Sequence, residues 1–133
     1  MKWGAVAVLI AVIDQMFKWM ALRDAWVIHK NFGIAFDLAV PSWIVTPMIV
    51  VIIFAAGFYA WKWRADEPTS TALTFIVLGG CSNLIDRLVH GFIIDYIILG
   101  VSAINIADLM IIAGVVYLLF TRRDSSTMQI DKT

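Results

Sequence analysis

Two aspartates, Asp86 and Asp108, stand in apolar stretches of the chain, and each follows an asparagine by three residues. A carboxylate at membrane depth costs at least ~2.5 kcal/mol and is by default a candidate for function. The two positions cannot share one helix face, so they must meet across two helices. At low dielectric constant, two close carboxylates hold one proton between them, and one acts as base and the other as acid. The pattern predicts a pair that activates water for attack on a carbonyl group.

The alternative is a structural role, in which each aspartate pairs with an arginine or caps a helix. Arg87 follows Asp86 directly, and its guanidinium can fork onto a carboxylate or a lipid phosphate, or extend to the membrane interface. Asn83 and Asn105 share the helix faces of the aspartates. They could bond the carboxylates or a substrate backbone, or they could join helices at ~0.6 kcal/mol per bond. Both readings stay open at this point.

A further pair of charges lies in the first apolar stretch. Asp14 and Lys18 are four residues apart, so a helix places them on one face, where they can form an ion pair. A structural ion pair is the favoured interpretation. Contact with the head group of a substrate is the alternative, because both residues are expected at the depth of Asp86 and Asp108.

The composition indicates a membrane protein. Hydrophobic residues make up 62% of the 133 residues, charged residues make up 15%, and the mean hydropathy is +0.88. Soluble domains are about half apolar and a quarter charged. At roughly 20 residues per span, the chain holds about four transmembrane helices, in a single domain over 1–133. The net charge of zero gives no indication of a nucleic-acid partner.

The predicted fold is an all-α bundle of four transmembrane helices, which we place at about 3–22, 43–61, 69–88 and 103–120. Two outer segments are expected to be different. Residues 91–98 are β-branched and apolar but too short to span, which indicates a strand or an interfacial segment. Residues 26–36 predict a short extended piece with a turn at Gly33. The chain should therefore carry a small extracytoplasmic β or extended segment over its helices.

The basic residues predict the orientation. Cytoplasmic loops carry an excess of Lys and Arg. The side of both termini has six basic residues against three on the other side: Lys2, Lys62, Arg64, Arg122, Arg123 and Lys132, against Arg23, Lys30 and Arg87. We therefore expect both termini in the cytoplasm and the intramembrane polar residues in the outer leaflet. The six tryptophans fall at the predicted span ends, as in an aromatic belt.

Other chemistries have little support in the sequence. Cys81 is the single cysteine, next to Gly79 and Gly80, and we interpret these three as packing residues. His29 and His90 lack the spacing of a zinc site, so no metal is expected. A serine nucleophile is disfavoured because there is no G-x-S-x-G motif. No cofactor is predicted.

Four motifs, taken in order, resemble those of the lipoprotein signal peptidase (signal peptidase II) family. They cover all four predicted spans: Asp14-Gln15-x-x-Lys18; Asn31-x-Gly33-x-Ala35-Phe36; Gly79-Gly80-x-x-Asn83-Leu84-Ile85-Asp86-Arg87, followed by Gly91 and Asp95-Tyr96; and Asn105-x-Ala107-Asp108. One such motif would be weak evidence, whereas four in order are specific.

The resemblance implies an aspartic endopeptidase of the bacterial inner membrane. Its substrate would be a prolipoprotein whose cysteine carries diacylglyceryl, cut just before that cysteine at the extracytoplasmic face. Asp86 and Asp108 would be the catalytic residues. Supporting or substrate-binding roles would fall to Asp14, Lys18, Asn31, Asn83, Arg87 and Asn105. A monomer in a phospholipid bilayer is expected.

Two other classes of protein could also carry charged residues in apolar stretches. A small ion-coupled transporter could use the aspartates and Lys18 as a proton relay, but it needs polar residues in both leaflets. The stretch 111–120 carries no charge, so no path through the membrane is visible. A non-catalytic lipid-binding membrane module is the other alternative, and it would not need the two aspartates.

Overall fold

The computed structural model describes residues 2–24, 26–33, 41–64, 66–100 and 102–130. Ala35, Phe36 and Lys132, which entered the sequence analysis, lie outside these residues. The described chain forms four helices: α1 Lys2–Arg23, α2 Ser42–Lys62, α3 Glu67–His90 and α4 Ile106–Ile130. Four short strands lie between them: β1 His29–Asn31, β2 Ile93–Asp95, β3 Ile97–Leu99 and β4 Ser102–Ile104.

The predicted helical membrane architecture is confirmed. The helices over Trp3–Arg23, Trp43–Lys62 and Glu67–His90 are long and apolar enough to cross a membrane. The apolar part of the fourth, Ile106–Thr121, is shorter. A span needs about 20 residues, and α4 as a whole has 25.

The strands form two antiparallel pairs outside the helices, as the extended segments predicted. β1 pairs with β2, with Asn31 opposite Ile93, and β3 pairs with β4. Gly91 (φ 81°) ends α3, and Gly100 (φ 68°) connects β3 to β4. Both glycines adopt the left-handed conformation that other residues rarely take.

The helix of the fourth span begins slightly later than the expected start of that span at about residue 103. Residues 102–104 pair with β3, and the helix begins only at Ile106. The apolar character of Ala103 and Ile104 suits a half-buried strand as well as a helix, so hydropathy alone could not place this boundary.

Close contact between α3 and α4 depends on two glycines. A Cβ atom added to Gly79 would lie 2.6 Å from the Ala107 carbonyl oxygen, and one added to Gly114 would lie 2.6 Å from that of Ala72. Each helix therefore places a glycine against the backbone of the other, as small residues at membrane helix interfaces commonly do. The packing role predicted for Gly79 agrees with this geometry.

The distribution of side chains is inverted relative to a soluble domain. All six tryptophans are exposed, as an aromatic belt requires, whereas charged residues lie in the interior. The buried charged side chains belong to α1, α3 and β2: Asp14, Lys18, Asp86, Arg87 and Asp95. Because burial of a charge costs free energy unless the charge is paired, the partners of these side chains locate the candidate site.

We predict that Gly79→Ala will destabilise the protein by about 1–3 kcal/mol, because the methyl group must force α3 away from α4. Gly57→Ala is the matched control, since a Cβ at Gly57 meets no atom within 4 Å. The control should be neutral or up to ~1 kcal/mol more stable. Reversible unfolding in detergent micelles measures both, and an equal effect of the two substitutions would contradict the close contact.

Candidate functional site

The Lys18 ammonium lies at the centre of a buried polar cluster. Its Nζ is 2.9 Å from Oδ2 of Asp14 and 2.8 Å from Oδ2 of Asp86, and it donates to Oδ1 of Asn83 at 2.9 Å. Lys18 is 1% exposed. An ammonium has three protons to donate, and all three have acceptors here. Lys18 therefore joins α1 to α3 through the ion pair with Asp86 and the hydrogen bond to Asn83, while its ion pair with Asp14 lies within α1.

Further donors complete the two carboxylates around Lys18. Ser82 Oγ donates to Oδ2 of Asp14 at 2.6 Å. Asp86 accepts from Gln15 Nε2 at 3.2 Å and from the backbone N–H of Ile94 at 3.2 Å. Asp86 thus ties α1 and β2 to α3. The pairing of Asp14 with Lys18 expected from their spacing is present.

Asp95 and Asp108 are held differently. Asp95 accepts from Asn105 Nδ2 at 2.7 Å and from Asn31 Nδ2 at 3.2 Å. Asp108 accepts from Asn83 Nδ2 at 2.8 Å and from the backbone N–H of Asn105 at 3.1 Å. The described hydrogen bonds of both carboxylates therefore come from neutral amides. These amides orient the carboxylates without neutralising them.

Asn105 and Asp108 together form a capping box at the start of α4. The Asn105 side chain accepts from the backbone N–H of Asp108 at 2.9 Å, while the Asp108 carboxylate accepts from the backbone N–H of Asn105. Such reciprocal bonds satisfy N–H groups that have no partner inside the helix. The same Asn105 side chain holds Asp95, so one residue fixes both acids.

The ionisation of Asp95 responds to this environment. Burial raises the pKa of the Asp95 carboxyl from 3.8 to about 6, and the charge of Asp108 contributes to the rise. The hydrogen bonds from Asn31 and Asn105 oppose it. The charge of one carboxylate therefore acts on the ionisation of the other, and Asn105 bonds to both.

A cavity of about 430 Å³ lies beside Asp108, between α2, α3 and α4. The rest of its lining is mainly aliphatic, and its polar lining is Asn31, Asn83, Arg87, Ser102 and Asp108. Met48 and Ile52 of α2 and Ile112 of α4 line the cavity and are also exposed at the surface, so it opens sideways between these helices.

Arg87 brings an incompletely used guanidinium to this cavity. Its Nη2 donates to the carbonyl oxygen of Gly33, and the turn at Gly33 is closed by a hydrogen bond from its N–H to Oδ1 of Asn31. Nε and Nη1 of Arg87 are buried and lack a hydrogen-bond partner in the described part of the chain. A buried donor without a partner costs free energy, which makes Arg87 a candidate for contact with a ligand.

The structure gathers all eight residues selected from the sequence, but it divides them between two groups. Asp14, Lys18 and Asp86 form the ion cluster, whereas Asp108 belongs with Asp95. Asn83 connects the groups, since it accepts from Lys18 and donates to Asp108. No described hydrogen bond or ion pair joins Asp86 directly to Asp108, and Lys18 and Asn83 lie between them. The catalytic role of Asp86 remains a prediction, and the geometry favours a supporting one.

Asp95 is the residue that the reasoning from sequence missed as a candidate acid. It lies in β2, outside the spans, and an aspartate outside a span attracts less attention. The signal was nevertheless present, because Asp95 is the single charge within the apolar segment 91–98. For metals, the described residues contain no group of three or more His, Cys, Asp or Glu that could hold an ion.

We predict that Lys18→Met will destabilise the protein by about 3–5 kcal/mol, because it leaves two buried carboxylates without their cation. Lys62→Met, at an exposed position at the end of α2, should change the unfolding free energy by less than about 0.5 kcal/mol. Unfolding in detergent measures both. Similar small losses in the two variants would show that the ion cluster contributes little.

The raised pKa of Asp95 predicts a pH dependence of stability. Native Asp95 keeps its proton up to about pH 6, whereas the unfolded chain releases it near 3.8. Its contribution to stability is therefore complete below that lower value and is lost as the pH rises through about 6. Measured against Asp95→Asn, the wild-type free energy of unfolding should fall across this interval. A constant difference between the two proteins would contradict the prediction.

The architecture matches solved structures. Two bacterial membrane enzymes superpose with TM-scores of 0.79 and 0.73, each at 17% identity. The first match covers 94% of this chain and 89% of the other, and the second covers 90% and 91%. At this identity the likeness shows the shared fold.

Sequence comparison is more specific. The chain is 29% identical over 137 residues to the lipoprotein signal peptidase of Polynucleobacter necessarius subsp. necessarius (strain STIR1), covering 86% of this chain and 84% of that protein. It is 28% identical over 159 residues to the lipoprotein signal peptidase of Shewanella oneidensis, covering 100% and 92%. A family model described as signal peptidase (SPase) II matches residues 6–122. The resemblance seen in the motifs is thereby confirmed, and the chain belongs to the signal peptidase II family.

Proposed function

We propose that this protein is an aspartic endopeptidase that removes the signal peptide from diacylglyceryl-modified prolipoproteins, cutting just before the lipidated cysteine. Membership of the signal peptidase II family supports the reaction and the substrate class. The observation that carries the aspartic mechanism is the pair of carboxylates, Asp95 and Asp108, which Asn105 joins, with Asp108 in the wall of a mainly aliphatic cavity. The transporter and lipid-module alternatives find no support in the family.

The proposed catalytic pair is Asp95 with Asp108, in place of Asp86 with Asp108. The Asp86 carboxylate lies 2.8 Å from the Lys18 ammonium and accepts from Gln15 and from the backbone N–H of Ile94, so its oxygens already have partners in α1 and β2. The described hydrogen bonds of Asp95 and Asp108 come from uncharged amides, which do not neutralise the two carboxylates. A single proton shared by the two carboxyl groups would therefore lower the repulsion between their charges. The pair titrates as a unit, and we assign no separate acid and base.

The chemistry follows from one proton on two carboxyl groups. The ionised carboxylate takes a proton from a water molecule, whose oxygen attacks the carbonyl carbon of the scissile peptide bond. The protonated carboxyl group gives its proton to the carbonyl oxygen, and a tetrahedral diol forms. The intermediate collapses when the protonated carboxyl group gives its proton to the leaving nitrogen and the ionised carboxylate takes a proton from one diol hydroxyl. The C–N bond breaks, the carbonyl group re-forms, and one proton again remains on the pair. The raised pKa of Asp95 supports a proton on the pair near neutral pH.

The cavity suits a substrate that is partly lipid. Its aliphatic wall, with Ile53 and Ile111, can bury acyl chains or an apolar part of the signal peptide. At its polar end, Arg87 and Asn31 can donate to peptide carbonyl groups, which fixes the scissile bond against Asp108. Supporting roles then fall to Asn83 and Asn105, which orient the acids, and to Asp14, Lys18 and Asp86, which hold α1 on α3.

We place the protein in the bacterial inner membrane as a single domain over residues 1–133. Both termini would lie in the cytoplasm, and the strands with the acid pair would lie at the extracytoplasmic face. The excess of basic residues on the side of the termini supports this orientation. A monomer suffices, because the elements that contribute to the proposed site all belong to one chain.

We predict that Asp95→Asn and Asp108→Asn will each lower kcat by about 10²–10⁴-fold, because either change removes one partner of the proton exchange. Asp86→Asn should retain cleavage within about tenfold when rates are compared per folded protein. The measurement is cleavage of a purified diacylglyceryl-prolipoprotein in liposomes, with the product identified by mass. Asp24→Asn, at an exposed position, is the control.

The outcomes separate the two candidate pairs. Activity in Asp95→Asn together with inactive, folded Asp86→Asn would restore the pair predicted from the sequence. Full activity in all three variants would exclude an aspartic mechanism. Cleavage at another bond, or cleavage that does not require the diacylglyceryl group, would overturn the proposed substrate.

A further inference from the structure

The hydroxyl group of Tyr96, the residue after Asp95, joins two helices. It donates to Oδ1 of Asp14 in α1 at 2.8 Å and accepts from the backbone N–H of Ile106, the first residue of α4, at 3.2 Å. The ring stacks on Phe17 of α1, with 5.8 Å between the ring centroids. Tyr96 thus contacts the helix that carries the ion cluster and the helix that carries Asp108.

The two bonds that reach the start of α4 run side by side. Asp95 accepts from the side chain of Asn105, and Tyr96 accepts from the backbone of Ile106. Two consecutive residues of the segment after α3 are therefore tied to two consecutive residues of the segment that begins α4. A single hydrogen bond would let the two segments rotate relative to each other. Two neighbouring hydrogen bonds restrict both the distance between the segments and their relative orientation.

We propose that Tyr96 is a positioning residue that holds Asp95 against Asp108 through its hydroxyl bonds to Asp14 and Ile106. This inference rests on the proposed function of the acid pair. It extends the site to α1, because the Asp14 that anchors Tyr96 is itself held by Lys18.

The direction of each hydrogen bond is determined by its partners. The N–H of Ile106 can only donate, and at the first position of a helix it has no acceptor within the helix. The Asp14 carboxylate accepts from Ser82 and lies against the Lys18 ammonium, so its Oδ1 is an acceptor for the Tyr96 proton. Burial, followed by the hydrogen bond to Asp14, raises the pKa of Tyr96 above its ordinary value, so the hydroxyl keeps this proton.

Tyr96→Phe tests the inference, because it removes one oxygen atom and leaves the aromatic ring in place. We expect kcat to fall about 10- to 100-fold with KM within about threefold of wild type, since the acids are displaced while the cavity is unchanged. Tyr59→Phe is the matched control, as Tyr59 is exposed on α2. Cleavage of the diacylglyceryl-prolipoprotein in liposomes gives both constants.

A second variant tests the route through α1. Asp14→Asn also weakens the anchor of Tyr96, so the loss of kcat in Asp14→Asn with Tyr96→Phe should be smaller than the product of the single losses. If the loss of kcat in the double variant equals the product of the two single losses, Tyr96 does not act through Asp14. Three results would overturn the positioning role. These are a wild-type kcat in Tyr96→Phe, a loss of activity that comes from a higher KM, and an equal loss in the control Tyr59→Phe.

An independent measurement does not require activity. The charge of Asp108 and the hydrogen bond from Asn105 both act on the pKa of Asp95. If Tyr96 holds these groups in place, Tyr96→Phe should shift the upper end of the pH interval over which Asp95 alters stability. An unchanged interval would overturn the inference even if no protein cleaves the substrate. Inactive wild type with a shifted interval would instead refute the proposed function and leave the positioning contact standing.

Discussion

The buried ammonium of Lys18 is the interaction on which the arrangement of the helices depends. Two carboxylates and one amide converge on it from α1 and α3, and each of these groups makes further bonds to β2, α4 or the segment between the strands. A membrane interior offers little hydrophobic force to bring helices together, since lipid is as apolar as the side chains. A multiply satisfied cation supplies direction as well as attraction, and it determines which faces of the two helices meet.

The acid pair has the opposite electrostatic character. Asp95 and Asp108 are oriented by Asn31, Asn83 and Asn105, which donate hydrogen bonds but carry no charge. An ammonium at the same place would stabilise both negative charges and remove the tendency to keep a proton. Asn83 separates the ion cluster from the amide-bound acid pair, so four of the aspartates of this small protein lie in two different electrostatic environments.

The sequence alone predicts the helices, the extended segments, the contact of Asp14 with Lys18 and the packing role of Gly79. These features depend on hydropathy, on periodicity and on residues that are close together in the chain. It could not separate the two Asn-x-x-Asp patterns. In Asn105 and Asp108 the spacing is a capping box at a helix start, whereas Asn83 and Asp86 lie inside α3 and bond to Lys18. Which aspartate meets the cation depends on contacts between residues more than sixty positions apart, and no local pattern encodes them.

The opening of the cavity between α2 and α4, where Met48, Ile52 and Ile112 are both lining and exposed, determines how a ligand would arrive. A lipid-anchored chain would enter by diffusion in two dimensions, without leaving the bilayer. The concentration that governs occupancy is then the mole fraction of ligand among the lipids, and dilution with more lipid would slow the reaction at constant bulk volume. A competitor that partitions strongly into membranes would likewise reach a high concentration in the bilayer before it contacts the protein.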